Sequence, residues 1–181
     1  MITHLVFSGS NIYGLPYIGV LRYLYTHSLH NNIKHVAGTS FGASIATLFA
    51  LKVDIETIEK IFHDFFSDKN ICNISPDKVI NIIPKLGLDT TYKYMKWNIE
   101  YIKNNYDIHN LTFSDISKIN GINLYINAFC INTQSEFVFS VDSTPDVCII
   151  DALCASMSLP ILYQPVEING YYYCDNCFFK N

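Results

Sequence analysis

Residues 35–44, HVAGTSFGAS, decide the fold. They read as a short apolar strand that enters the motif Gly-x-Ser-x-Gly, and the run that follows, up to Leu51, has the composition of a buried helix. A serine on such a strand-to-helix turn has strained backbone angles, and Gly38 and Gly42 let the backbones pass closely. The motif predicts that Ser40 is a nucleophile at the start of a helix, where the first amides favour an oxyanion. The competing interpretation is a turn rich in glycine and serine that has no chemistry.

The composition is that of a globular, well-buried chain. Of its 181 residues, 50% are hydrophobic and only 15% are charged, so a single domain over residues 1–181 is expected. The net charge is −4, and the basic residues are scattered lysines and the single arginine Arg22. Because no cluster of basic residues occurs, neither a nucleic-acid partner nor an electrostatic anchor to anionic lipid is expected.

The cysteines indicate a reducing compartment. The sequence opens without the basic and apolar segments of a signal peptide, so the protein is expected to be cytoplasmic with reduced thiols. Cys174 and Cys177 form a C-x-x-C pattern, but no second such pair accompanies it, and small buried residues are favoured over zinc or redox use. No metal and no organic cofactor is expected. The scattered cysteines are Cys72, Cys130, Cys148, Cys154, Cys174 and Cys177.

The first part of the chain alternates strands and helices. Residues 2–7 read as a buried strand, a loop of small residues runs to Gly14, and residues 15–29 have the apolar spacing of a helix. A second strand over residues 33–37 and the helix after Ser40 complete a β-α-β-α order. This order predicts an α/β fold whose parallel sheet is covered on both faces.

The middle of the chain offers helices without visible chemistry. Asp54 is predicted to cap a helix over residues 55–66, a short helix is predicted to end near Pro84, and a longer one is predicted over residues 89–104. Packing of the 55–66 helix onto the sheet is favoured over contact of its phenylalanines with a membrane. These segments are expected to form a cap or a flanking layer.

The last third of the chain returns to strands. Residues 124–131 and 136–141 read as neighbouring strands, residues 148–157 as an apolar helix, and residues 166–173 as a hairpin with Asn-Gly at its turn. Asn-Gly is the strongest short-range hairpin signal. The second strand of this hairpin ends just before Asp175.

A serine nucleophile needs a group that accepts its proton. In the α/β-hydrolase order of serine, acid and histidine, a histidine comes late in the chain, and here none follows the region of the last strands. Asp175 does lie there among apolar neighbours, and burial raises the pKa of a carboxyl group toward the range of a general base. The pair Ser40 and Asp175 is therefore predicted. The rival is an esterase with a displaced histidine, for which His109 is the best candidate.

Several segments, in this order, resemble the patatin-like phospholipases: residues 8–14, 19–21, 38–42, 155–160, 170–172 and 175–177. The resemblance covers residues 4–179. It implies a three-layer α/β/α fold with a mostly parallel central sheet and a Ser40–Asp175 dyad without histidine. It also implies hydrolysis of fatty-acyl ester bonds in phospholipids or other acyl-ester lipids through an acyl-enzyme, with transient contact to a membrane surface. The backbone at Gly9, Ser10 and Asn11 is implied to form the oxyanion hole, and Gly14 belongs to the same loop motif.

The chain departs from the family pattern in two places. Three consecutive glycines of the family's first loop are replaced by Gly9-Ser10-Asn11, and the residues after Asp175 are Asn176 and Cys177 where the family usually has small residues. Because asparagine is the residue with a side chain that best tolerates positive φ, Asn11 and Asn176 can hold a glycine-like backbone at modest strain. The alternative function is a patatin-fold module that binds lipid or protein and has lost part or all of its catalysis.

Overall fold

The computed structural model of the chain describes residues 2–67, 82–95, 100, 104–105 and 111–178. Its strands are β1 His4–Phe7, β2 His35–Thr39, β3 Gly87–Asp89, β4 Asn123–Cys130, β5 Ser135–Ser140, β6 Ile161–Tyr163, β7 Val166–Ile168 and β8 Tyr171–Cys174. Its helices are α1 Pro16–Thr26, α2 Phe41–Ala50, α3 Ile55–Ser67, α4 Ile82–Lys85, α5 Thr91–Tyr94, α6 Phe113–Asn120 and α7 Ile149–Met157. Short 3-10 helices occupy Asn11–Gly14, Leu29–Asn32 and Asn176–Phe178.

Six of the described strands form a mixed sheet. Five of them have the order β1-β2-β4-β8-β7, and the sixth, β5, pairs with the other edge of β4. Strands β3 and β6 form a separate two-stranded sheet. The pairs β1–β2 and β2–β4 are parallel, as the β-α-β-α order predicted, whereas β5, β8 and β7 join by antiparallel pairing. The predicted α/β fold class is confirmed. The predicted Asn-Gly hairpin is also confirmed, since Asn169 and Gly170 both have positive φ, as a type I′ turn requires.

One edge of β4 is shared by two strands that run toward each other. The pairing of β2 with this edge ends at Thr39, which lies opposite Asn127. The pairing of β8 with the same edge ends at Cys174, which lies opposite Phe129. The opposite edge of β4 is occupied by β5 from residue 125 to residue 130. Because a strand has only two edges, β2 and β8 must meet end to end at the position between them, Ala128.

Helix α2 is the centre of the core. All ten of its residues are buried, which is the expected environment for a helix that is apolar on every side. Helix α7 is almost as deeply buried, and the buried apolar residues of the described chain form one cluster with α2 and the sheet. The single domain over residues 1–181 stays a prediction. Within the described ranges, no helix is both long and apolar enough to cross a membrane.

Other helix boundaries differ from the prediction. The first predicted helix ends at Thr26 rather than at residue 29, since Ser28 adopts a left-handed φ of 54° and a 3-10 turn follows. Where a helix over residues 89–104 was predicted, the described residues show the short helix α5, which begins at Thr91 and ends at Tyr94 with Met95 as its C-cap. Strand β3 precedes it and pairs with the unpredicted strand β6. Most of the short helix predicted to end near Pro84 lies outside the described residues, as does Trp97, the single tryptophan of the predicted 89–104 helix.

Candidate active site

Ser40 stands between β2 and α2 with φ 53° and ψ −127°, a strained conformation for a residue with a side chain. The two glycines of the motif explain how the turn is accommodated. A Cβ at Gly38 would lie 2.3 Å from the carbonyl oxygen of Gly42, and a Cβ at Gly42 would lie 2.3 Å from the carbonyl oxygen of Phe7. The predicted strained elbow with closely passing backbones is therefore present, and Ser40 is 8% exposed.

We expect Gly38→Ala to lower the free energy of unfolding by roughly 3 kcal/mol, because the new methyl group would meet backbone atoms that cannot rotate away. Gly19→Ala is the matched control. Gly19 lies in α1 with nothing within 4 Å of a built Cβ, so alanine there should stabilise the protein by about 0.5–1 kcal/mol. Urea denaturation of both variants measures the difference, and equal effects at the two glycines would contradict this account of the elbow.

The first loop packs against the elbow through a third glycine. A Cβ at Gly14 would lie 2.2 Å from a ring carbon of Phe41 and 2.5 Å from the Oγ of Ser10. Phe41 directly follows Ser40, so this contact fixes the loop relative to Ser40. The amide of Tyr13 donates to the carbonyl of Ser10 at 3.0 Å, which closes the loop into a 3-10 turn.

Asn11 and Asn176 each begin a 3-10 helix. Such helices use ordinary negative φ angles that any residue adopts, and Asn176 is not among the described residues with positive φ. The tolerance of asparagine for a glycine-like backbone is not used at these positions. The loss of glycine at these positions therefore carries no left-handed strain. The oxyanion role of Gly9, Ser10 and Asn11 stays a prediction.

Asp175 is fully buried immediately after β8. Its amide donates to the carbonyl oxygen of Ser158 at 2.9 Å, and its Oδ1 accepts the amide of Cys177 at 2.8 Å. Burial is the largest influence on this carboxyl group and raises its pKa, while the Ser40 hydroxyl and Cys177 act in the opposite direction. The effect of burial is the larger, so the pKa of Asp175 is raised. A carboxylate that acts as a general base requires a shift in this direction.

Ser40 and Asp175 are brought together by the shared edge of β4. Each directly follows the last paired residue of its strand, so the two arrive opposite Ala128 from opposite directions. The Ser40 hydroxyl counteracts part of the rise that burial causes in the pKa of Asp175, which indicates that the hydroxyl and the carboxyl group are near each other. Asp175 Oδ2 is nevertheless buried without a hydrogen-bond partner, so the contact is longer or less well aligned than a standard hydrogen bond. Hydrogen bonds between catalytic groups are often long or poorly aligned when no substrate is bound.

The described histidines all have contacts away from the dyad. His4 and His35 stack at 4.5 Å, and the Nδ1 of His35 lies 3.1 Å from the hydroxyl of Tyr125. His27 and His30 contact carbonyl groups of the α1 region, and His63 contacts its neighbour Asp64. His109, the candidate of the rival interpretation, lies outside the described residues.

The C-x-x-C cysteines are poorly suited to thiolate chemistry. Burial raises the pKa of Cys174 to about 11 and that of Cys177 to about 12, and the charge of Asp175 adds to both shifts. Thiolate is the form that binds metals and attacks disulfides, so these shifts disfavour both uses. In the part of the chain that the structure describes, no group of three potential metal ligands occurs and the cysteines are free thiols. Cytoplasmic localisation stays a prediction.

Two serines near the dyad received no role from the sequence. The amide of Ser40 donates to the Oγ of Ser156 at 2.8 Å, and this hydroxyl donates to the carbonyl oxygen of Asn127 at 2.6 Å. Ser158 accepts from the amide of Asp175 through its carbonyl oxygen. The sequence feature that could have identified them is their position, two residues apart at the end of a buried apolar helix. A buried polar side chain there needs a hydrogen-bond partner.

Comparisons with known proteins identify the family of the chain. The patatin-like phospholipase family model matches residues 5–176. An uncharacterised protein of Acanthamoeba polyphaga mimivirus is 32% identical over 96% of the chain, and a probable lipid hydrolase of Invertebrate iridescent virus 6 is 26% identical over 98%. The chain spans 57% and 60% of the lengths of these two relatives.

The crystal structure of VipD from Legionella pneumophila superimposes with a TM-score of 0.66 at 19% identity, covering 96% of this chain and 45% of that one. The chain belongs to the patatin-like phospholipase family.

Proposed function

We propose that the chain is a serine acyl hydrolase that cleaves fatty-acyl ester bonds of phospholipids or other acyl-ester lipids. Ser40 is the nucleophile and Asp175 is the general base. The observation that carries this proposal is the meeting of a strained serine and a buried carboxyl group of raised pKa at one position of the sheet edge. Family membership supports the substrate class, as do two relatives named as a probable lipid hydrolase and as triacylglycerol lipase 5 of Saccharomyces cerevisiae. The yeast relative is 28% identical over 92% of this chain, which spans 22% of its length.

The proposed reaction has two halves. In the first, Asp175 accepts the hydroxyl proton of Ser40 while Oγ forms a bond to the ester carbonyl carbon, and the carbonyl electron pair moves to its oxygen. When this tetrahedral intermediate collapses, the bond to the alcohol breaks and Asp175 gives its proton to the leaving oxygen. In the second half, water loses a proton to Asp175 and attacks the acyl-enzyme. The fatty acid then leaves, and the proton returns to Ser40.

The oxyanion donors in this proposal are the backbone amides of Gly9, Ser10 and Asn11. The amide of Ser40 is already engaged by the Ser156 hydroxyl, so it is not one of the donors. The contact between Gly14 and the Phe41 ring holds the first loop beside the elbow, which supports this choice. Donors fixed in advance stabilise the developing charge without reorganisation. No metal and no organic cofactor has a role in these steps.

We also propose that the enzyme acts while peripherally bound to a lipid surface. Leu86 and Ile161 are 65% and 61% exposed, and both have positive φ, which is unusual for bulky apolar residues. Leu86 directly precedes Gly87, which pairs with Ile161, so the two side chains start from neighbouring backbone segments, and Leu162 beside them is also exposed. Ile161 follows Ser158 by three residues, which span at most about 11 Å. An apolar group so close to the dyad suits contact with acyl chains.

We expect Ile161→Asn to weaken binding to phosphatidylcholine vesicles about tenfold, because a buried isoleucine contributes roughly 1.5–3 kcal/mol. Turnover of a monomeric, water-soluble ester should stay unchanged. The control is Ile119→Asn on α6, a position that is also 61% exposed. Vesicle co-sedimentation and ester turnover check this. Equal loss of vesicle binding in both variants, or none in either, would refute the apolar contact.

Labelling with a fluorophosphonate probe tests the proposed activity without a choice of substrate. We expect stoichiometric labelling of the wild type, none of Ser40→Ala, and release of fatty acid from phosphatidylcholine or triacylglycerol by the wild type only. Folded wild-type protein that neither reacts with the probe nor releases fatty acid would favour the binding-module alternative. A labelled enzyme whose turnover requires His109 would favour the displaced-histidine rival.

A further inference from the structure

The edge of β4 has a break in its hydrogen bonding at the active site. Strand β2 stops pairing at Asn127 and β8 resumes pairing at Phe129. Two backbone groups beside the break, the amide of Ser40 and the carbonyl of Asn127, would face each other if the parallel register continued by one residue. Buried groups of this kind require partners, since an unpaired one costs about 1–3 kcal/mol.

The hydroxyl of Ser156 fills this break. It accepts from the Ser40 amide at 2.8 Å and donates to the Asn127 carbonyl oxygen at 2.6 Å, so one hydroxyl replaces a direct bond between the strands. Its residue is completely buried near the end of α7. Because the oxygen stands between the two groups, the end of β2 is held away from β4 by the width of one atom.

Resting on the proposed function, we propose that Ser156 is a positioning residue for the nucleophile. Its hydroxyl holds Ser40 in the strained conformation and keeps the end of β2 apart from β4. This separation leaves room for Asp175, which reaches the same position of β4 from the opposite direction. A direct bond between Ser40 and Asn127 would close the break and turn the hydroxyl of Ser40 away from the carboxylate.

The same short segment also fixes the base. Two residues after Ser156, the carbonyl oxygen of Ser158 accepts the amide of Asp175 at 2.9 Å. The end of α7 therefore binds one backbone amide from each member of the dyad. The Ser158 hydroxyl donates to the carbonyl of Cys154 at 2.7 Å and also contacts the hydroxyl of Thr91, so this segment is itself held on two sides. The end of α7 thus sets the distance between the nucleophile and the base, although it contacts neither the Ser40 hydroxyl nor the Asp175 carboxylate.

The test is Ser156→Ala compared with Ser140→Ala. Ser140 is also buried, and its hydroxyl also accepts backbone amides, those of Asp142 and Ser143, but it lies on β5 away from the dyad. Both variants should lose thermal stability to a similar degree. Only Ser156→Ala should lower kcat, by about 10–100-fold, with KM within about threefold of wild type, because a misplacement near 1 Å costs up to about 10²-fold.

Two further readouts separate positioning from simple destabilisation. The rate of fluorophosphonate labelling should fall in parallel with kcat, whereas the acidic limb of the pH profile should stay in place, because Ser156 does not contact the carboxylate. Ser156→Cys keeps the shape but bonds more weakly, so its kcat should lie between wild type and Ser156→Ala, and it serves as the test if the alanine variant does not fold. A kcat for Ser156→Ala within threefold of Ser140→Ala would overturn the inference. Activity that survives Ser40→Ala would instead overturn the proposed function.

Discussion

Replacing Ser40 with alanine is expected to lower kcat/KM for lipid esters by about 10⁴-fold or more, because no other group in the proposed reaction forms the acyl-enzyme. The fold should survive the change. The backbone of Ser40 is held through its amide by Ser156, and the substitution leaves that bond in place. Fatty-acid release at equal folded concentration measures the effect, with circular dichroism as the check on folding.

The double variant of Ser40→Ala and Asp175→Asn sharpens this test. Since the two residues act as one unit, the double variant should be little slower than Ser40→Ala alone. Independent, multiplicative losses would mean that Asp175 does not serve the Ser40 hydroxyl. Residual turnover above about 1% in Ser40→Ala would identify a different nucleophile.

Replacing Asp175 with asparagine is expected to lower kcat by about 10²–10⁴-fold and, at the same time, to stabilise the protein. Burial raises the pKa of Asp175 above its value in the unfolded chain, so the ionised side chain destabilises the folded state at every pH above the folded-state pKa. Each unit of that rise corresponds to about 1.4 kcal/mol. Asparagine keeps the oxygen that accepts the Cys177 amide and removes the charge, and we expect a gain near 1 kcal/mol, or about 2–4 °C in Tm.

The stability difference between Asp175→Asn and the wild type should depend on pH. As pH falls through the raised pKa, Asp175 becomes protonated in the wild type, so the stability advantage of Asp175→Asn should shrink and disappear in acid. Over the same range kcat/KM of the wild type should fall, with its acidic limb above that of an ordinary aspartate. Asp151→Asn is a suitable control, because its partly exposed carboxylate accepts from the Tyr92 hydroxyl and lies outside the dyad. An Asp175→Asn variant less stable than wild type near pH 8 would contradict the account.

The sequence predicted the parts of the site that depend on neighbouring residues. The Gly-x-Ser-x-Gly elbow and the Asn-Gly hairpin each require backbone angles or close approaches that few residues allow, so their composition alone identifies them. The absence of a late histidine pointed to Asp175 as the partner of Ser40, and the family resemblance implied the same pair. The backbone at Asn11 and Asn176 could not be derived from the sequence, because substitution of a family glycine does not reveal whether its φ was positive.

What the sequence did not reveal depends on residues far apart in the chain. Strands β3 and β6 are three residues each and pair across more than seventy residues, and no local periodicity signals such a contact. The end-to-end meeting of β2 and β8 on β4 is equally nonlocal. The role proposed for Ser156 depends on the break that this meeting creates, so no motif in the sequence could have assigned it.

If the proposed function holds, the meeting of β2 and β8 also sets when the chain becomes active during its own synthesis. The base follows the nucleophile by 135 residues (175 − 40), so a ribosome adding about 5–20 residues per second needs roughly 7–27 s to make the second after the first. Throughout that interval the growing chain carries the elbow serine without its proton acceptor. On the proposed function, lipid cleavage therefore begins only after the hairpin of β7 and β8 has been translated and has docked on the exposed edge of β4.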